Sequence, residues 1–229
     1  MPLWLNIILI NLSALVVGYL IGSINISIIL TKLKYKKDIR EQGSNNAGST
    51  NVLRVHGTKV ALPIFIFDIL KSFFCLMFFA LLQKHLNNNI AFKYIIPQFS
   101  ALGAVVGHIW PIYFNFKGGK GAACLLGAFL GINIIIVIIG IIIFLTIVLT
   151  TKYVSLGSIV APFILIMLSF IPWIIMGPLG YLNWQDKYTL YWINTLILLV
   201  SYIFVVYSHK ANIVRLLNKK ENKLSLKRK

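Results

Sequence analysis

Long apolar runs separated by short polar loops set the pattern of this chain. Runs of about 20 apolar residues recur from end to end, each long enough to cross ~30 Å of hydrocarbon as a helix. The first expected span covers Leu3 to Leu30, the second Val60 to Leu82 and the third Ile95 to Tyr113. Gly121 to Thr150 is long for one nearly uncharged helix, and Gly131 and Asn133 interrupt it. Two short spans joined by a tight turn are therefore expected there. A sixth span runs from Val154 to Met176, broken by Pro162 and Pro172, and a seventh from Leu190 to Tyr207. The opening run lacks a basic leader and is too long for a signal peptide, so it reads as a retained span.

Composition agrees with this pattern. Apolar residues make up 59% of the 229 residues and charged residues 12%, about half the charged share of a soluble domain. Water-soluble globular folds are excluded. The expected fold is all-α and polytopic: one transmembrane helical domain over residues 1–209 and a basic tail over residues 210–229.

Charge then sets orientation. The net charge is +17, but 18 of the 22 basic residues lie in the loop from Lys32 to Lys59, at Lys117 and Lys120, at Lys152, and from Lys210 onward. The count is seven spans, or five or six where short spans are re-entrant or merged. Basic loops mark the cytoplasmic side, so with seven spans the N-terminus is expected outside and the C-terminus inside. No folded polar domain is present to host nucleic acid. Cys75 and Cys124 sit in apolar runs and read as small core residues.

The polar motifs all fall on that expected cytoplasmic side. In the first loop, Gly43-Ser44-Asn45-Asn46-Ala47-Gly48-Ser49-Thr50-Asn51 precedes Arg54. Small residues let backbone N–H groups approach an anion, and an arginine adds a charge-assisted clamp; an ordinary turn beside lipid headgroups is the plain alternative. Gly107-His108-Ile109-Trp110-Pro111 is followed by Phe116-Lys117-Gly118-Gly119-Lys120-Gly121 at the mouth of a new helix, an expected phosphate cradle. It is not a Walker loop, because the spacing differs and no hydroxyl follows the lysine. Ser155-Leu156-Gly157-Ser158 opens the sixth span, where a serine also suits an N-cap. His209 and Asn212 leave the last span three residues apart, on one face of a continuing helix.

Two charges lie inside the second span. Asp68 and Lys71, three apart, are placed to pair across one helical turn. Ser23, Asn25 and Ser27 recur at a spacing of two, which makes no stripe on a helix. With five acidic residues in all, no two carboxylates on one side can serve as acid and base, and His108 has no acid nearby in sequence. No His/Cys/Asp grouping along the chain suits a metal, and no cofactor is expected.

Taken in order, these segments resemble the bacterial PlsY family of acyl-phosphate:glycerol-3-phosphate acyltransferases. The resemblance rests on Gly22-Ser23, the first-loop motif through Arg54, and Phe67-Asp68-Ile69-Leu70-Lys71. It continues through the His108 and Lys117–Gly121 segments, Ser155-Leu156-Gly157, and His209 with Asn212-Ile213 and Arg215-Leu216. It implies transfer of an acyl chain from acyl-phosphate, not from acyl-CoA or acyl carrier protein, to the 1-hydroxyl of glycerol 3-phosphate. The products would be lysophosphatidic acid and phosphate. It also implies a cell-membrane site facing the cytoplasm and a soluble PlsX-type enzyme as a possible partner delivering the donor. On this resemblance Ser44, Arg54, Lys120, Ser155, His209 and Asn212 are expected to be catalytic. Asn46, Gly48, Thr50, Asn51, His108, Lys117, Gly118, Gly119 and Gly121 are expected to bind substrate phosphate. Asn45, Ala47 and Ser49 depart from the family's Gly, Pro and Ala, and Ser208 stands where an arginine commonly precedes the histidine. A carrier for phosphorylated anions and a non-catalytic lipid-binding protein are the rival classes. One-sided motifs and the lack of an inverted repeat count against the carrier.

Overall fold

The structure, a computed structural model, describes residues 2–86, 88, 90–177, 179–181 and 191–224. Among these the regular elements are helical: α1 (Leu3–Gly22), α2 (Ile26–Tyr35), α3 (Ser49–His56), α4 (Thr58–His85), α5 (Ile90–Lys93) and α6 (Gln98–Ile109) are followed by α7 (Ala122–Leu130), α8 (Ile134–Thr151), α9 (Val154–Ser169), α10 (Pro172–Met176), α11 (Tyr191–Ser208) and α12 (Lys210–Leu217). Lys187 and the first residue of the seventh expected span lie outside the described residues.

The outer faces are as apolar as the core. α8 exposes Ile138, Ile142, Leu145 and Leu149 while burying Ile136, Val137, Gly140 and Val148. α4 exposes Leu62, Ile66, Phe74 and Phe78. Such exterior surface suits hydrocarbon, where the helix satisfies its own backbone. Cys75 and Cys124 are buried free thiols, as expected.

Several spans differ from the hydropathy reading. The first is broken: α1 ends at Gly22, and α2 restarts after Asn25, whose side chain accepts from the Ile28 N–H at 3.2 Å. The alternation Ser23, Asn25, Ser27 reflects that break. The carbonyl of Ile24, released at the interruption, accepts from Lys71 Nζ at 3.1 Å. α6 has only 12 residues and α7 only 9, about 18 Å and 14 Å long, too short to cross a bilayer core. Hydropathy misses this because apolar chain continues past their ends. Backbone ends at that depth are tolerated where protein, not lipid, surrounds them. The break expected at Gly131 and Asn133 is present, Asn133 capping α8, but α8 is a full 18-residue helix. Pro162 lies inside α9 without ending it, whereas Pro172 starts α10. Among the described residues, three stretches are long and apolar enough to cross a membrane: Leu3–Tyr35 taken together, α4 and α8. The pair α11 and α12, bent by 61°, adds a fourth.

α6 is the buried centre. It meets α1 along a seam of glycines where the backbones nearly touch: a Cβ on Gly103 would lie 2.1 Å from the Leu15 carbonyl oxygen, and one on Gly107 would lie 2.2 Å from that of Tyr19. Close approach of this kind gives helices in lipid their packing energy. Replacing Gly103 by Val is expected to push the helices apart and cost about 1–3 kcal/mol, read as a lower melting temperature of the purified protein.

Candidate active site

Four helices begin at one cavity. Ser49 and Thr50 open α3, Ala122 and Ala123 open α7, Val154 and Ser155 open α9, and His209 caps α12, which carries Asn212 in its first turn; all line the same hollow. A helix start presents N–H groups without intrahelical partners and the positive end of the peptide dipoles, so each attracts an anion. Lys120 and Arg54 add full charges to the lining.

The first loop is held by one side chain. Asn51 Nδ2 donates to the carbonyls of Ile39 (3.1 Å), Gln42 (2.8 Å) and Asn46 (3.0 Å), while Asn51 Oδ1 accepts from the Ser44 N–H at 2.8 Å. Gly43 adopts φ +61°, and a Cβ there would meet Asn51 Oδ1 at 2.3 Å. Asn51 was expected to bind phosphate; its polar atoms are instead engaged in shaping the loop that presents Ser44, Asn46, Gly48 and Thr50 to the cavity. Asn46 Oδ1 accepts from the Gly48 N–H at 3.0 Å. Ala47, at the departure from the family's proline, is fully buried in the core beneath the loop. Arg54 extends at the cavity rim, with no ion pair among the described residues.

The glycine segment plays a different part from the one expected. Gly118 N–H donates to the Ile109 carbonyl (3.1 Å) and Gly119 N–H to that of His108 (3.0 Å), so these two donors are not free for phosphate. A Cβ on Gly118 would lie 2.1 Å from the His108 carbonyl oxygen, and one on Gly119 would lie 2.1 Å from His108 Nε2. The glycines are there because the segment lies flat against the end of α6. Gly118, Gly119 and Gly121 do not line the cavity, and Lys117 is exposed away from it. The segment delivers Lys120, whose carbonyl is anchored by the Ser208 hydroxyl at 2.9 Å.

Around Lys120 the polar groups interlock. Its ammonium donates to Asn212 Oδ1. Asn212 Nδ2 and Ser155 Oγ donate to Glu221 Oε1 at 2.7 and 2.9 Å, and Arg215 Nε donates to Glu221 Oε2 at 2.8 Å. Burial alone would raise the Glu221 pKa, but the hydrogen bonds from Asn212, Arg215 and Ser155 outweigh it and hold the carboxylate below its usual range. Glu221 thus keeps its charge among the cations. The boundary expected after residue 209 runs through this site, since α12 and Glu221 pack onto the cavity. His209 lies against the start of α12, its Nδ1 2.8 Å from the Val205 carbonyl. A carbonyl only accepts, so Nδ1 carries the proton. In the neutral ring Nε2 is then left as an acceptor.

Sequence reading missed the acid beside His108. Asp68 lines the cavity floor with it, and Asp68 Oδ1 is 3.2 Å from His108 Nδ1. Lys71 Nζ lies 2.7 Å from the same carboxylate oxygen and 3.0 Å from His108 Nδ1, confirming the expected pairing of Asp68 with Lys71. Asp68, His108 and Cys124 bring their ligand atoms within 4.8 Å of one another, a grouping not visible along the chain. Lys71 Nζ stands beside two of the three, Asp68 and His108. Glu221 was also missed; a lone acid between Lys220 and Lys223 in a basic tail was its only signal.

The sequence model of the family described as glycerol-3-phosphate acyltransferase matches residues 12–219. A glycerol-3-phosphate acyltransferase of Mycoplasmopsis agalactiae is 43% identical over 233 residues, covering 96% of this chain and 97% of its own. One from Mycoplasma mobile is 40% identical, covering 96% and 94%. The fold matches the crystal structure of PlsY, an integral membrane glycerol 3-phosphate acyltransferase, in its glycerol 3-phosphate form. That match has a TM-score of 0.75 and 29% identity, covering 94% of this chain and 96% of that one. A second structure, the lysophosphatidic acid form, matches with a TM-score of 0.72.

Burial lowers the Lys120 pKa to about 8; the Glu221 charge opposes the shift, and Arg215 and Arg54 reinforce it. Below that pH the side chain is an ammonium that attracts phosphate; above it the charge is lost. kcat/KM is therefore expected to fall above about pH 8. Lys120→Arg should remove that limb from the pH profile, since a guanidinium keeps its proton.

Proposed function

The chain belongs to the glycerol-3-phosphate acyltransferase family and is an integral membrane acyltransferase, and we propose that it acylates the 1-hydroxyl of glycerol 3-phosphate with acyl-phosphate as donor. The proposed setting is the bacterial cell membrane, with the N-terminus outside and the cavity open to the cytoplasm. The observation that carries the donor is the lining itself. Both carboxylates there already have cationic partners, Asp68 with Lys71 and Glu221 with Arg215. The lining is otherwise rich in groups that attract anions.

Such a site suits a donor that needs little acid or base assistance. Acyl-phosphate is a mixed anhydride whose phosphate leaves readily. The hydroxyl oxygen attacks the acyl carbon, the carbon–oxygen bond to phosphate breaks, and the hydroxyl proton passes to a phosphate oxygen of a bound substrate. The balance is lysophosphatidic acid plus inorganic phosphate. Arg54, Lys120 and the helix starts hold phosphate and the charge that develops on it. Ser44 and Thr50 add hydroxyl donors. His209 Nε2 accepts from the attacking hydroxyl and orients it. Ser155, Glu221 and Asn212 hold Lys120 in place.

Purified protein in a lipidic medium is expected to release phosphate and form lysophosphatidic acid from acyl-phosphate and glycerol 3-phosphate, and to form none from acyl-CoA or acyl carrier protein. Turnover with acyl-CoA alone would overturn the donor assignment. Lys120→Ala and Arg54→Ala are each expected to lose ~10²-fold in kcat/KM, as groups acting on transition-state charge do.

A further inference from the structure

The segment between α6 and α7 brings Lys120 to the cavity with little regular structure to support it. It contains one 3-10 turn, Ile112–Phe114, followed by two successive non-glycine residues in the left-handed region, Asn115 (φ 55°) and Phe116 (φ 56°). Asparagine visits that region readily, but it is costly for Phe116 and persists there only when the surroundings enforce it. One edge is held by α6 through the Gly118 and Gly119 N–H groups. The other edge carries the carbonyls of Phe114 and Lys117, and both are taken by a single atom from the first loop. Arg40 Nη1 donates to Phe114 O at 2.9 Å and to Lys117 O at 3.1 Å, across 74 and 77 residues of sequence.

The rest of that guanidinium is held from behind. Arg40 Nε donates to Asp38 Oδ1 at 3.0 Å and Nη2 to Asp38 Oδ2 at 2.8 Å, while Asp38 Oδ1 accepts from the Arg40 N–H at 2.9 Å. Lys32 adds its ammonium 3.1 Å from Asp38 Oδ2. Asp38 neutralises the guanidinium, which does not line the cavity and so does not compete with it for anions. The fork geometry matters: one face grips a carboxylate and the remaining nitrogen reaches two carbonyls, which a single ammonium cannot do.

We infer that Arg40 is a positioning residue for phosphate binding, clasping the Phe114–Lys117 backbone so that Lys120 is held in the cavity. In kinetic terms this inference rests on the reading that the cavity binds two phosphorylated substrates. The clasp connects the first loop, which presents Ser44 and Thr50, to the segment that presents Lys120. Phe114 also packs on the apolar cluster of Ile39, Ala47 and Val52 beneath the first loop, and Arg40 adds the polar tie that fixes the backbone between the two halves.

Arg40→Gln, Arg40→Lys and wild type are compared with both substrates varied. KM for one phosphorylated substrate is expected to rise about tenfold or more in Arg40→Gln, with the other KM and kcat within about threefold, the signature of lost ground-state positioning. Arg40→Lys keeps the ion pair with Asp38 and one carbonyl contact, and is expected to fall between the two. Tryptic cleavage after Lys117, which needs no turnover, is expected to accelerate in both variants at unchanged melting temperature. Unchanged KM values together with unchanged cleavage would overturn the inference. So would a fall in kcat accompanied by a lower melting temperature in both variants. If Arg40→Gln does not fold, Arg40→Lys carries the same readouts. If wild type shows no turnover with acyl-phosphate, the donor assignment fails by itself. The cleavage comparison and the affinity for glycerol 3-phosphate alone then still decide whether Arg40 positions the segment.

Discussion

Helix starts in a protein of this kind can be turned toward an anion only if some helices begin inside the structure and not at its surface, and the architecture follows from that requirement. α3, α7, α9 and α12 all begin at one cavity. α7 can do so because it is short and is covered by α4, α6 and α11. α6 is short as well, and its end supplies the surface on which the segment before α7 lies flat. Dipoles from four helix starts give the cavity a positive potential without requiring many buried cations, each of which would carry a large desolvation cost.

The few charges inside the fold are distributed by the same logic. Asp38 pairs with Arg40 and Lys32, Asp68 with Lys71, and Glu221 with Arg215. The cations of the cavity, Arg54 and Lys120, have no ion pair among the described residues. Pairing thus separates the cations that hold the fold together from the two at the cavity that lack an acid partner among the described residues. The polar amides work in the same way: Asn51 organises the first loop, Asn25 caps the break in the first span, and Asn212 steadies Lys120. Asn51 and Asn212 do this from the cavity lining itself, and Asn25 from outside it.

Much of this was legible in the chain. Apolar run length fixed the membrane-helical class, because only a helix satisfies its backbone in lipid, and the ordered motifs pointed to the family. The Asp68–Lys71 pair followed from helical spacing, and the interruption at Gly131 and Asn133 from turn chemistry. The true lengths of α6 and α7 and the break at Ser23 were not legible, since hydropathy records apolarity and not whether lipid or protein supplies it.

What the sequence by itself determined is therefore local: which residue types stand near which helix ends, and that the chain belongs in a membrane. Tertiary structure alone decided which partners they found. Asp68 beside His108, Glu221 beside Ser155 and Arg40 across Phe114 join residues tens of positions apart, and no periodicity connects them. The glycines show the same division. Their small size was plain from the chain, but that Gly118 and Gly119 give their N–H groups to carbonyls at the end of α6 depends on where those groups point once the chain has folded.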